Sequence, residues 1–318
     1  MKSWGYKIKY TFLRTIRAQW KSMISLFFAF VGVVFTLAEI LNNVFESTFG
    51  FDFIRSHTIQ ISLVFVAVCV ILNWKPLRYT CFLENADTKI TLLVGDIFRQ
   101  KGAFIIPTNT TFDTLMDDEF ISIRSVQGKY QEKYFAHTIS TLNREIAQSL
   151  NGVPFASIDD GRETNIKRYE IGTTCKVSTG LQHAYFLAVA DINKYGKPEN
   201  VTFDNITIAL VSLWQKLNEI GHLESVLIPI IGTGRAGIKN ASRDKIVREI
   251  IFSFVVAARE MKVTEDLIIC IHPSDFAEKN LHWDDLCDYL RYTCKYQYVE
   301  NSTREGNPET ESVVARFG

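Results

Sequence analysis

Ser225-Val226-Leu227-Ile228-Pro229-Ile230-Ile231-Gly232-Thr233-Gly234-Arg235-Ala236-Gly237 runs from an apolar, branched stretch directly into three glycines spaced G-x-G-x-x-G. Residues 226–231 read as a strand, and 241–261 carry the apolar spacing of a long helix, so the glycines join a strand to a helix. Glycines let backbone N–H groups approach an anion closely, and a following helix N-terminus favours negative charge. Two readings stand: a tight connection, or a cradle for phosphate or pyrophosphate. A P-loop is excluded because no Gly-Lys-Ser/Thr follows. The Rossmann fingerprint opens its domain and feeds its helix at once; here the motif comes late, and Ile238-Lys239-Asn240 intervene.

Outward from this motif, strand-like and helix-like segments alternate. Lys89–Val94 (KITLLV) is β-rich and is broken by Gly95-Asp96, and Ala103–Pro107 (AFIIP) reads as a second buried strand. Phe135, Ile139, Leu142 and Ile146 share one helical face; 185–189 reads as a strand, 206–220 as a helix and 267–271 as the last strand. Such alternation predicts an α/β domain with helices on both faces of a sheet. Residues 300–318 are polar and without apolar period, and read as a disordered tail.

Three further turns offer chemistry, though each also reads as an ordinary turn. Asp96, in Val94-Gly95-Asp96-Ile97, either caps local backbone donors or accepts from an adenine amino group. Asn109 ends Ile105-Ile106-Pro107-Thr108-Asn109, where it can face a ligand hydroxyl. Gly128, in Ser125-Val126-Gln127-Gly128-Lys129-Tyr130, precedes a helix and can let a second loop approach phosphates. His137, His183, His222 and His272 are isolated and receive no role.

The N-terminal part is different in kind. Residues 22–38 (SMISLFFAFVGVVFTLA) and 58–74 (TIQISLVFVAVCVILNW) are uncharged and almost wholly apolar. Each approaches the ~20 residues needed to cross a ~30 Å hydrocarbon core. They are expected to form two transmembrane helices, at about 22–43 and 58–74, after a basic, aromatic lead-in at 1–21 and before a connector at 75–87. The first 22 residues hold six Lys and Arg and no acid, Lys75 and Arg78 follow the second run, and the loop between carries Arg55. The positive-inside rule then puts both termini in the cytoplasm of a cell whose inner membrane holds the hairpin. The lead-in reads equally as an interfacial helix on anionic lipid or as a cytosolic segment whose charges fix topology.

The formal net charge is zero, so the counterion release that drives nucleic-acid binding has little to work with. Six cysteines form no C-x-x-C pair, which suits reduced structural thiols rather than a metal site or a disulfide framework.

In this order the motifs resemble the macro domain, an ADP-ribose-binding α/β/α module. Its pattern is a strand then G-D-I, a strand ending V-N-A-A-N, a Gly-rich loop before a helix, and P-x-I-G-T-G-x-x-G before another. Here these are Gly95-Asp96-Ile97, Ile105 to Asn109, Gly128, and Pro229 to Gly237. The resemblance implies a three-layer domain with a mixed sheet over about 88–299. It sets Asp96 and Ile97 at the adenine, with Phe276 as a looser candidate for its platform. Gly128, Gly232, Thr233, Gly234, Arg235, Ala236 and Gly237 would surround the diphosphate, and Asn109 would sit near the distal ribose. Ile106 stands where the pattern has its first Asn, and the first glycine run is reduced to Gly128, which weighs against hydrolysis and leaves binding. No cofactor or metal is implied beyond an ADP-ribose derivative as ligand.

With its two-helix anchor, the whole chain resembles the membrane-anchored macro-domain effectors of Thoeris anti-phage defence. That resemblance implies a TIR-domain partner that makes the signal from NAD, a lipid bilayer as target, and assembly as a homo-oligomer. The alternatives are a membrane-tethered ADP-ribosyl hydrolase, a dinucleotide-dependent oxidoreductase, and a scaffold that senses nothing.

Overall fold

The computed structural model describes residues 2–45, 49–72, 77–84, 86–116, 120–158, 166–179, 182–199, 201–222, 224–232, 241–277 and 281–296. The tail expected at 300–318 lies outside them. The chain divides into two compact units, Met1–Leu77 and Arg78–Gly318.

In the first unit, α1 (Lys2–Phe45) is one unbroken helix, and α2 (Phe49–Leu72) has non-helical backbone at His57. No proline interrupts 2–45, so the lead-in and the first apolar run form a single helix rather than two pieces. Its stretch Trp20–Ile40, 21 residues of mean hydropathy 2.2, is long and apolar enough to cross a membrane. At ~1.5 Å per residue it reaches about 31 Å. Among the described residues it alone passes that test, so the second span expected at 58–74 is not established, although α2 covers most of it. The two helices pack through Phe65, whose ring lies 5.4 Å from Phe27 and 4.6 Å from Phe30. Phe28, Leu63 and Ile71 face outward.

The second unit opens with β1 (Arg78–Phe82), β2 (Lys89–Val94), a 3-10 turn at Ile97–Arg99 and β3 (Ala103–Asn109). There follow α3 (Val126–Phe135), α4 (Ile139–Ser149), the short pair β4 (Ala156–Ser157) and β5 (Lys167–Arg168), β6 (Thr174–Thr179), β7 (Gln182–Ile192) and β8 (Pro198–Glu199). It closes with α5 (Phe203–Glu219), β9 (Val226–Pro229), α6 (Arg243–Glu260), β10 (Asp266–Ile271), α7 (Pro273–Ala277) and α8 (Trp283–Tyr296). The sheet order is β1-β2-β10-β9-β3-β7-β6, with β8 on the end of β7. The five central strands β2, β10, β9, β3 and β7 are parallel, and β1 and β6 close the edges antiparallel, giving the mixed sheet expected.

Strands covered on both faces read as continuous apolar runs, as β3 does. Phe104 and Ile106 belong to the core with Tyr130 and Phe135 of α3 and Leu142 and Ile146 of α4. Ile105 points to the opposite face by the period of two and is also fully buried. Behind that face, the rings of Trp214 on α5 and Phe254 on α6 lie 5.2 Å apart, and Trp214 Nε1 donates to Ser253 Oγ.

One irregularity positions the site. β3 and β9 pair only at Ala103↔Val226 and Phe104↔Leu227, and then part. Pro107 and Pro229, which lack an N–H to donate, lie beyond the last paired residues. On its other side β3 stays paired to β7, with a register shift between Thr108 and Asn109 that re-aims the strand end. The sheet is therefore split on the carboxyl side of its parallel strands, where open α/β sheets bind ligands.

Two expectations shift. β1 lies inside the expected connector, and the helical face of Phe135 to Ile146 belongs to two helices, α3 and α4, separated at 136–138.

Candidate functional site

The split opens into a cavity of about 400 Å³ lined by the ends of β2, β3, β7, β9 and β10 and by the start of α3. Asp96 and Ile97 lie on one wall, Thr108 and Asn109 on the floor, Gln127 and Lys129 on another wall, and Gly232 and His272 at the far strand ends. The volume falls within the ~300–1,000 Å³ of small-molecule sites.

Asp96 caps the 3-10 turn: its Oδ1 accepts from Phe98 N at 3.0 Å, and its Oδ2 lies 3.9 Å from Arg99 Nε. The capping role is thus real, and the half-exposed carboxylate still borders the cavity. Ile97 is buried and supplies apolar wall.

Asn109 is an anchor as well as a wall. Its Oδ1 receives Thr111 N at 3.2 Å, Thr111 Oγ1 at 3.0 Å and Asp113 N at 3.1 Å, leaving the amide NH₂ as the uncommitted end. Beside it, the buried Thr108 Oγ1 has no hydrogen-bond partner. A buried polar atom left unpaired costs about 1–3 kcal/mol, a deficit that a polar ligand can remove.

Gly128 has a different role from the one expected. Its N–H donates to Ser125 Oγ at 2.9 Å, capping α3, and a Cβ there would meet Ser122 O at 2.2 Å. The glycine lets the 120–125 loop lie against its own helix, and it does not line the cavity. Gly232 does line it, with φ of 74°, a left-handed backbone suited to glycine. Thr233, Gly234, Arg235, Ala236 and Gly237 lie outside the described residues. Phe276 is buried, its ring 6.3 Å from that of Trp283, and is not part of the lining; it packs the interior instead of offering a platform.

Residues that sequence reasoning passed over stand in the site. His272 directly follows β10, its Nδ1 2.6 Å from Ser274 Oγ and accepting from Ser274 N at 3.2 Å. Asp275, also lining, accepts from Arg243 Nε at 3.0 Å, which ties the start of α6 to the segment after β10. The signal for His272 was its place immediately after an apolar strand. Cys270 borders the cavity too, but burial pushes its thiol up to about 12, so it is no nucleophile at neutral pH. Among the described residues, no group of three or more His, Cys, Asp or Glu side chains is arranged to hold a metal ion.

Burial lowers the pKa of His272, assisted by Lys129 and opposed by Asp275 and Asp96, and burial likewise lowers that of His222, whose Nδ1 is 2.9 Å from Tyr185 Oη. Both rings therefore fold best neutral. Unfolded histidine titrates near ~6.5, so stability is complete above that pH and declines as the pH falls toward the lower folded values. Urea midpoints are expected to drop between about pH 7 and 5, and a His272→Gln variant should flatten part of the slope. A midpoint constant over that interval would contradict this.

An open, mostly parallel sheet clad by helices, with a cleft at the split lined by polar side chains, defines an α/β domain whose cavity lies where such sheets offer a ligand site. The profile of the family described as "Thoeris protein ThsA, Macro domain" matches residues 90–272. The chain belongs to the ThsA macro-domain family. It is 22% identical over 232 residues to the Thoeris protein ThsA of Bacillus amyloliquefaciens (strain Y2), covering 70% of this chain and 75% of that protein. Among solved structures, it is similar to an Oceanobacillus iheyensis macrodomain with ADP (11% identity, 70% of this chain and 98% of that one, TM-score 0.46). It is also similar to a Trypanosoma brucei macrodomain in complex with ADP-ribose (12% identity, 64% and 67%, TM-score 0.40).

Proposed function

We propose that this chain is a membrane-held sensor of Thoeris defence: the second unit binds an ADP-ribose-type nucleotide in the cleft between β3 and β9, and binding triggers membrane damage. The observation that carries the reading is the convergence of Asp96, Thr108, Asn109 and Gly232 on one cavity of nucleotide size. A base amino group wants an acidic acceptor beside an apolar wall, which Asp96 and Ile97 offer. Ribose hydroxyls want an amide and a hydroxyl, which Asn109 and Thr108 offer. A diphosphate wants backbone donors, which Gly232 can begin to supply, with Lys129 and Arg124 contributing positive charge; the rest of the glycine-rich motif is assigned to the phosphates by its sequence alone.

Binding rather than turnover is favoured by position 106. There the side chain is an isoleucine fully buried in the core, with no polar group to orient a water. The membrane part of the reading has Trp20–Ile40 crossing the bilayer and α2 crossing back, with both termini cytoplasmic. The signal is made from NAD by a TIR-domain enzyme, and copies of the chain assemble through the helices. The outward-facing Phe28, Leu63 and Ile71 support lipid contact.

Titrating ADP-ribose into the full-length protein in lipid nanodiscs should give a saturable heat. Asp96→Ala should weaken it by about 10-fold or more, the equivalent of one hydrogen bond to a charged group. Absence of heat with ADP-ribose and its conjugates would remove the proposal.

A further inference from the structure

The turn after β3 does more than close the floor of the cleft. Asn109 Oδ1 is approached by three donors, although a carbonyl oxygen has two lone pairs. The Thr111 hydroxyl is shared with the carboxylate of Asp113, itself buried. Within this turn Phe112 has φ of 52°, a left-handed backbone that is an outlier for a bulky side chain, and it is held by burial against the edge of Tyr169. One helix grips the far side: Gln127 Nε2 donates to Asp113 O at 2.7 Å, and Gln131 Nε2, one turn along α3, donates to Thr114 O at 3.3 Å.

These residues face two ways. Asn109 and Gln127 line the cleft. Phe112, Thr114, Met116 and Gln131 line a second, larger hollow of about 1360 Å³ on the other side, where Leu115, Phe155 and Ile166 are exposed. A strained, over-subscribed turn is thus the common wall of both.

We infer that the turn Asn109–Thr114 is a two-state latch through which nucleotide in the cleft reshapes the second hollow, an inference that rests on the ligand reading above. A ribose hydroxyl that takes a lone pair of Asn109 Oδ1 displaces Thr111 or Asp113. Phe112 then loses the hydrogen-bonded frame around it and is held left-handed only by its packing against Tyr169, so the backbone relaxes and Thr114 to Met116 move with it. The ligand biases the equilibrium because only the released state leaves a lone pair of Asn109 Oδ1 free to accept from it, whereas the amide NH₂ is available in both states.

Methionine-methyl NMR of the full-length protein in nanodiscs tests this, with Met116 reporting on the hollow, Met261 at the end of α6 as the internal control, and Met116→Leu for assignment. Saturating ADP-ribose should move the Met116 resonance and leave Met261 in place. In Phe112→Gly, where the left-handed backbone carries no strain, the displacement should fall by at least half while calorimetry still registers binding. Because Phe112 is a core residue, Gln131→Ala serves as a second variant that cuts the tie on the hollow's side alone, and it too should halve the response. Binding heat without movement of Met116, or an undiminished response in the folded variants, overturns the latch and leaves the sensor reading intact. No binding heat at all overturns both.

Discussion

Asn109→Ala is expected to lower stability by about 2–4 kcal/mol and to abolish nucleotide binding in the same stroke. The size follows from what the side chain holds. Its oxygen is the partner of two backbone N–H groups, those of Thr111 and Asp113, in a region where Asn109 is 8% exposed. Alanine leaves both donors without that acceptor, and each buried unpaired group costs about 1–3 kcal/mol less whatever relaxation and water recover. Asp96→Ala removes a single capping bond from a half-exposed side chain and should cost about 0.5–2 kcal/mol. The two variants therefore separate a residue that builds the floor from one that decorates the wall. Thermal scans should show Asn109→Ala melting about 5–15 °C lower. Asn109→Asp, which keeps an acceptor oxygen, should recover most of the stability. A wild-type melting curve for Asn109→Ala would mean that the turn is held by something other than this amide.

Where the sequence was legible, a periodic or compositional signal coincided with burial. β2 appears at Lys89–Val94 as read, because six residues covered on both faces leave a run of apolar side chains that nothing else explains. α6 and β10 fall within a residue or two of their expected limits for the same reason. β1 was missed because an edge strand is covered unevenly: Arg78–Phe82 alternates between exposed and half-buried side chains and carries no apolar run. α8 was passed over although Trp283, Leu286, Cys287, Leu290 and Cys294 keep helical spacing and are all buried. The site shows the same division. Asp96, Ile97, Asn109 and Gly232 border the cavity because each lies at or within three residues of the carboxyl end of a parallel strand, where strand ends converge in space. Phe276, the looser candidate that the resemblance puts after the last strand, lies five residues beyond Ile271 and turns inward, while His272, directly after the strand, borders the cleft. Position relative to the sheet carried more information than residue type. Thr108 could not have been singled out, since only the packing around it reveals that its hydroxyl has no partner.

Gly128→Ala is the second large effect expected, and it is opposite in sign to what a helix position ordinarily gives. Gly128 sits inside the first turn of α3, where alanine is favoured over glycine by up to ~1 kcal/mol of helix propensity. Against that stands a Cβ placed 2.2 Å from the carbonyl oxygen of Ser122 and 2.8 Å from Ile123 Cα, both backbone atoms with no flexible end to swing aside. Overpacking of side chains costs ~1–3 kcal/mol, and a clash with backbone lies at or above the top of that range, so the steric term wins by about 2 kcal/mol or more. The loop must move away, and it carries Phe120, Ile121 and Ser122, which wall the cleft; ligand affinity should fall with the melting temperature even though Gly128 does not line the cleft. Gly95→Ala is the control that separates this from a general intolerance of glycine loss. Gly95 also lies in a turn at the cleft, but a Cβ there would find its nearest neighbour, Leu93 Cγ, at 3.7 Å, an ordinary contact. It should fold with stability close to the parent. Equal damage from both substitutions would mean that Gly95 and Gly128 answer to a constraint shared between them, and that the fit of the 120–125 loop against α3 is not what Gly128 is there to permit.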